Sequence, residues 1–194
     1  MNVAALIIGI DGWERYTLPL VESLRQHEPA CRVVVVDNAS AVPYPWGVRT
    51  ERLCYAAAIN RAAEQASDAD WYVVLSNDVL CTGPFAGRLA GCARAIVGPC
   101  LKRVYDAIPY LEGWCVAAPR AVWQATGGWD ARYVVSSWED IDFTTAALAA
   151  GFDLVHDPEF PFQHFDQRQR FGLPEFAGTH ERNRVAFGAK WGLW

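Results

Sequence analysis

Four successive valines, Val33–Val36, run from Arg32 into Asp37-Asn38-Ala39-Ser40. β-Branched side chains suit a pleated strand, and an unbroken apolar run, with no polar alternation, marks a strand covered on both faces. Such strands belong to parallel sheets flanked by helices. The neighbouring segments agree. Val3–Ile10 is a second apolar run, ended by Asp11-Gly12, and Trp71–Leu75 is a third, ended by Ser76-Asn77-Asp78. Between them lie two helical patterns, Thr17–Gln26 with Leu18, Leu20, Val21 and Leu24 on one face, and the alanine-rich Leu53–Ala66. Strand–helix–strand–helix–strand predicts an α/β unit, with Val48–Thr50 as a short edge strand. Ligands of such sheets sit beyond the carboxyl ends of the strands, where Asp11, Asp37 and Asp78 fall. Aspartate also makes turns after strands, so each of the three has a purely structural alternative.

At 194 residues the chain fits a single domain with a sizeable core. A net charge of −5 argues against a dedicated nucleic-acid binder. It leaves room for a local basic strip, with Arg168, Arg170, Arg182 and Arg184 as candidates. No segment approaches the roughly 18–20 apolar residues of a membrane span, and the opening lacks the basic start of a signal peptide. Six cysteines show neither Cys-x-x-Cys pairing nor histidine spacing, which predicts reduced thiols and a cytoplasmic protein.

The second half is less regular. Ala95–Val97 and Phe152–Val155 read as strands, as does Pro109–Ala118, with Gly113 where backbone approaches a ligand. Pro119–Thr126 reads as a short helix stopped by Gly127-Gly128. An aromatic loop then delivers Glu139, Asp140 and Asp142 to the start of a helix running to Ala150, with Ser137 as its cap. Acids are favoured at a helix N-terminus, so a capped helix is the structural alternative there. His164 lies between aromatics in Phe160–Phe165, and Gly178–Trp194 reads as a helix packed back on the core. No repeat or linker divides the chain.

No Gly-x-Gly-x-x-Gly follows the first strand, and neither a P-loop nor a Gly-x-Ser-x-Gly elbow is present. An α/β sheet that presents acids in place of glycine loops can still grip a diphosphate, through a divalent cation clamped between carboxylate and phosphate oxygens. The order Asp37-Asn38-Ala-Ser, Ser76-Asn77-Asp78, Gly127-Gly128-Trp-Asp130 and Trp138-Glu139-Asp140-Ile-Asp142-Phe resembles the family 2 glycosyltransferases of GT-A fold, closest to rhamnosyl- and glucosyltransferase-like members. The likeness runs from about Val3 to His164.

The resemblance implies a Rossmann-like, mostly parallel central sheet in one domain. Residues 1–80 would be the nucleotide half, 81–165 the sugar and acceptor half, and 166–194 a tail on the core. It implies that Asp37 and Asn38, with Gly9 and Asp11, border the nucleobase, and that Asn77 and Asp78 meet the diphosphate. Asp78 and His164 would hold Mn²⁺ or Mg²⁺, with His156 a weaker rival to His164. Asp140 would be the catalytic base beside Glu139. Two departures stand out: Ser76 replaces the first acid of Asp-x-Asp, and the first strand ends Gly-Ile-Asp-Gly.

The expected reaction moves a sugar from a nucleoside-diphosphate sugar (UDP- or TDP-linked) to a hydroxyl of a glycan, a lipid-linked sugar or a modified nucleic acid. One base with no second carboxylate opposite it inverts the anomeric centre. Trp114, Trp129 and Trp138, with Asp142, are candidates to line the sugar and acceptor, although each tryptophan can equally be core. A catalytically weak or inactive nucleotide-sugar-binding module is the alternative, favoured by Ser76. A nucleotidyltransferase fits poorly, because the loop after the first strand is acidic.

Overall fold

The structure, a computed structural model, describes residues 1–165, 176 and 178–193. Its centre is a seven-stranded sheet. β1 (Val3–Gly9), β2 (Arg32–Asn38), β3 (Val48–Thr50) and β4 (Trp71–Ser76) are as expected, and β5 (Val79–Cys81) follows directly. β6 (Ala95–Gly98), β7 (Leu101–Val104), β8 (Ile108–Leu111), β9 (Cys115–Pro119), β10 (Asp153–His156) and β11 (Phe162–His164) complete the strands. The central order is β10-β6-β9-β4-β1-β2-β3. All neighbours are parallel except β9, which runs against both β4 and β6. Strands from both halves of the chain therefore share one sheet, and the fold is a single mixed α/β domain.

Alternate residues of each central strand feed opposite cores. Ala4, Leu6 and Ile8 of β1 pack with α2 (Tyr55–Glu64), α4 (Arg120–Thr126) and α5 (Glu139–Ala149) on one face. Val3, Ala5 and Ile7 meet α1 (Leu18–His27) on the other, together with Phe85 from the chain around α3 (Ala86–Leu89). Both faces are dry, which is why the valine run carries no polar alternation. A third cluster of Tyr133, Trp138, Ile141 and Phe187 seats α6 (Thr179–Trp191) against the start of α5. Among the described residues no helix is long and apolar enough to cross a membrane, and all six cysteines are free thiols.

Two expectations need correction. Pro109–Ala118 is not one strand: β8 pairs with β7 in a separate ribbon, the chain turns at Glu112–Trp114, and β9 then enters the main sheet. Ser137 does not cap α5. The residue ahead of the helix is Trp138, left-handed at φ 73°, and no side chain among the described residues caps the end. Asp140 instead accepts from the Ile141 N–H at 2.9 Å, so the first-turn acid does what a cap would do.

This topology gathers the site. The parallel strands β1, β2 and β4 end along one edge of the sheet. β9, running the other way, begins at that edge, so the Glu112–Trp114 turn lies beside the end of β4, and the Ser76 N–H donates to the Trp114 carbonyl at 3.0 Å. β11 pairs antiparallel with β5 and places His164 opposite Val79, next to Asp78.

Candidate active site

Asp78 and His164 meet: Nε2 of the imidazole lies 3.1 Å from Oδ1 of the carboxylate, and both side chains are nearly buried. The ring stacks on Trp114, with centroids 4.9 Å apart and planes 9° from parallel. The imidazole meets the carboxylate through one nitrogen, and its other, Nδ1, is buried with no hydrogen-bond partner among the described residues. Carboxylate oxygen and imidazole nitrogen suit Mn²⁺ or Mg²⁺. Among the described residues no set of three or more His, Cys, Asp or Glu side chains is placed to hold a metal ion. Asp78 and His164 are the two side chains that would hold such a cation. His156 is elsewhere, its Nε2 3.1 Å from the Pro99 carbonyl.

Asp140 reaches the same region through the β8–β9 turn. Its Oδ2 accepts from the Gly113 N–H at 3.0 Å. A side chain at Gly113 would put Cβ 3.1 Å from the Asp140 Cβ, so glycine there allows a close approach to Asp140. Tyr55, which drew no attention in the sequence, joins the two halves. Its hydroxyl donates to the Gly113 carbonyl at 3.2 Å and lies 3.4 Å from Ser76 Oγ. Burial pushes the phenol's pKa up, and the charges of Glu139, Asp78 and Asp140 push it further. The negative charge of three carboxylates thus favours the protonated form of a hydroxyl held between Ser76 and Gly113. Glu139 is buried and close enough to Cys54 to raise that thiol's pKa, after burial itself.

Two of the residues expected around the nucleobase, Asp11 and Asp37, share hydrogen-bond partners in Ser40 and Tyr44. Asp37 is buried. Its Oδ1 accepts from the Ser40 N–H at 2.9 Å, and its Oδ2 from the Tyr44 N–H at 3.1 Å and from Arg49. Burial alone would raise this carboxyl's pKa, but those hydrogen bonds prevail and hold it below its usual value. Asp11 Oδ1 accepts from the Ala41 N–H at 2.8 Å. A Cβ on Gly9 would lie 2.5 Å from the Tyr44 hydroxyl, which donates to the Asp11 carbonyl at 2.7 Å. Asn77 donates to Thr17 Oγ1 at 3.3 Å. Asn38 grips both the N–H and the carbonyl of Leu53, at 2.8 and 2.9 Å, and so serves the loop leading into α2. Beside this knot, Trp13 packs on Tyr44 and on the half-exposed Trp46, an aromatic group that the sequence reading passed over.

Three expected sugar or acceptor residues lie elsewhere. Trp129 is core, stacked on Phe143 with centroids 4.8 Å apart. Trp138 is buried against Phe187 and His180. Asp142 accepts from Tyr133 at 3.0 Å, Lys190 at 2.7 Å and Trp191 at 2.8 Å, so α6 takes up its carboxylate. Asp140 and Asp142 leave the first turn of α5 in different directions, as a two-residue step on a helix requires. Lys190 also bonds Asp130 at 2.8 Å, beside a cavity of about 280 Å³ lined by Gly128, Asp130, Asp142 and Lys190. Of the basic strip, Arg184 pairs with Glu181 at 2.6 Å and Arg182 is exposed on α6, while Arg168 and Arg170 lie outside the described residues.

The loop that delivers Glu139 and Asp140 is unusual. Val135, Ser137 and Trp138 have φ of 56°, 96° and 73°. Left-handed backbone at non-glycine residues costs about 1–3 kcal/mol each and persists only where surrounding contacts impose it.

Seven strands in this order, with one reversed strand, match known structures. The fold is GT-A. The structure superposes on GalNAc-T7 with UDP, GalNAc and Mn²⁺ at a TM-score of 0.78 and 13% identity, over 89% of this chain and 45% of that one. It superposes on S. aureus TarS at 0.66 and 14%, over 88% and 38%. It also superposes on the catalytic domain of Drosophila β1,4-galactosyltransferase 7 in complex with xylobiose at 0.61 and 17%, over 94% and 79%. All three are GT-A glycosyltransferases, and this chain spans less than half the length of the first two. No protein-family model matches the sequence, and no curated protein matches it.

Proposed function

We propose that the chain is a GT-A glycosyltransferase of family 2 type, a hexosyltransferase that moves a sugar from a UDP- or TDP-linked donor to an acceptor hydroxyl with inversion. The observation that carries this reading is the 3.1 Å approach of His164 to Asp78, beside the turn that also receives Asp140. Asp78 and His164 would hold Mn²⁺ or Mg²⁺. The cation, when bound, offsets the charge that builds on the departing diphosphate. Asp37, Asp11 and Gly9 shape the rim for the base, with Trp13 and Trp46 as aromatic neighbours. Asp140 takes the proton of the attacking hydroxyl, and the Gly113 N–H fixes the direction of its carboxylate. Glu139 adds negative charge behind it. Trp114 is the tryptophan that remains for the sugar.

Supporting company comes from the fold: GalNAc-T7 was seen with UDP and Mn²⁺, and a second Drosophila galactosyltransferase 7 structure with manganese, UDP-Gal and xylobiose. The acceptor would be a glycan or lipid-linked sugar, and the free thiols accord with a cytoplasmic enzyme.

A second reading, a nucleotide-sugar-binding module without turnover, is favoured by Ser76, which puts a hydroxyl where the first acid of Asp-x-Asp would stand. Calorimetry with UDP and with TDP, with and without Mn²⁺, combined with hydrolysis of UDP- and TDP-sugars, separates the two. Metal-dependent binding with hydrolysis supports the transferase, binding alone supports the module, and no binding overturns both.

A further inference from the structure

We infer that Asn183, on the C-terminal helix α6, is a positioning residue for Asp140, acting through the left-handed loop that precedes it. The inference rests on the reading of Asp140 as the catalytic base. Asn183 is 1% exposed and spends its amide on this loop. Its Oδ1 accepts from the Val134 N–H at 3.1 Å, and its Nδ2 faces the carbonyls of Val134 at 3.0 Å, Ser137 at 2.9 Å and Ser136 at 3.4 Å. These are the residues around the left-handed Val135, Ser137 and Trp138.

A β-branched residue such as Val135 does not hold positive φ by itself, so the conformation depends on what grips it. Two other contacts act on the same segment. The Tyr55 N–H donates to the Val135 carbonyl at 2.7 Å, and Ser137 Oγ lies 2.9 Å from His180 Nδ1. Further along α6, Lys190 and Trp191 hold Asp142. α6 therefore grips the chain on both sides of Glu139-Asp140, and the pair emerges between the two grips. The apolar seat of the helix, Phe187 against Tyr133 and Trp138, is separate from the amide. Removing the amide should free the loop without undocking the helix.

The test uses the full chain with UDP-glucose, UDP-galactose and UDP-N-acetylgalactosamine as hydrolysis probes with Mn²⁺, well below each variant's melting point. For Asn183→Ala we expect kcat to fall by about 10–100-fold, the scale of a misplaced catalytic group. The donor KM should stay within about twofold, because donor contacts are untouched. Backbone amides of residues 134–142 should exchange faster, while those of β1 and β4 should not. Asn183→Ser, which keeps one donor, should recover part of the rate. His180→Ala, on an exposed contact, should show a smaller loss of the same kind.

A lowered melting point with kcat unchanged would make Asn183 merely structural and overturn the inference. Exchange at 134–142 equal to wild type would overturn it too, including where none of the probes is hydrolysed or where only Asn183→Ser and His180→Ala fold. Asp140→Asn, run alongside, separates the two claims. If that variant turns over normally, the assignment of the base fails. If it is dead while Asn183→Ala is fully active, only the positioning role fails.

Discussion

His164 Nε2 stands 3.1 Å from Asp78 Oδ1 because β11 pairs antiparallel with β5 and its last residue falls opposite Val79. Two potential ligands meet through strand register alone, and the face of Trp114 fixes the ring. Asp78→Ala and His164→Ala should each weaken Mn²⁺-dependent UDP binding by at least about 10–100-fold, since losing even an outer partner of a metal ligand costs that much. Binding without metal should change little. Calorimetry with and without EDTA reads both. Equal losses in the two conditions would remove the pair from metal binding.

Asp140→Asn keeps the shape and the oxygen that accepts from the Gly113 N–H, but it cannot take a proton. Transfer or hydrolysis should fall by about 10²–10⁴-fold, the range expected for a lost general base, while UDP affinity stays near wild type. Steady-state kinetics beside calorimetry separates the effects, and normal turnover would exclude Asp140.

Much of this was legible in the sequence for a physical reason: strands buried on both faces are written in unbroken Val, Ile and Leu, and what ends them is at the functional edge. β1, β2 and β4, with Asp11, Asp37 and Asp78 at their ends, could be read directly. β7, β8 and β11 could not, because three- or four-residue strands in two-stranded ribbons carry no periodicity. The tryptophans stayed ambiguous for a related reason. Trp129 and Trp138 have the composition of a sugar platform, yet which of them is core depends on how α5 and α6 dock. Asp142 shares its sequence neighbourhood with Asp140 but faces Lys190. Tyr55 had no signal at all, being one aromatic at the head of an alanine-rich helix.

Tyr55 gives the next prediction. Its hydroxyl spans Ser76 and the Gly113 carbonyl, and so links the turn bearing Asp78 to the one that orients Asp140. Tyr55→Phe removes that link and leaves the ring on Trp129 in place. The cost in stability should be about 1 kcal/mol, typical of one hydrogen bond, read from urea midpoints. The catalytic loss should appear in kcat more than in donor KM. A variant with wild-type kcat would reduce Tyr55 to packing.

Acid should weaken the hydrogen-bonded cluster around Asp37. Asp37 has its folded pKa held below the unfolded value, so its contribution to stability is present above the unfolded pKa and fades as pH falls through the folded one. Asp130, held low against burial by Lys190 and Arg132, behaves in the same sense at α6. Urea midpoints should be flat above about pH 5 and drop steeply below about pH 4, given an ordinary aspartate near 3.9. Asp37→Asn should start lower at neutral pH and lose less on acidification. A parallel pH curve for the variant would mean that Asp37 is not a source of the acid sensitivity.

Trp114 and Trp129 invite a paired comparison, since one sequence argument covered both and the structure separates them. Trp129 is 2% exposed, stacked on Phe143 and edge-on to Tyr55. Removing its ring leaves a cavity inside the α2–α5 core, so Trp129→Ala should destabilise by about 3–5 kcal/mol. Trp114 is only half-buried, and its main partners are His164 and Glu112. Trp114→Ala should cost less stability and instead release the imidazole, so that Mn²⁺-dependent nucleotide binding weakens while the urea midpoint moves little. Trp114→Phe, which keeps a stacking face, should restore most of the binding. If Trp114→Ala unfolds as readily as Trp129→Ala with unchanged metal dependence, Trp114 is core as well, and no tryptophan remains at the sugar site.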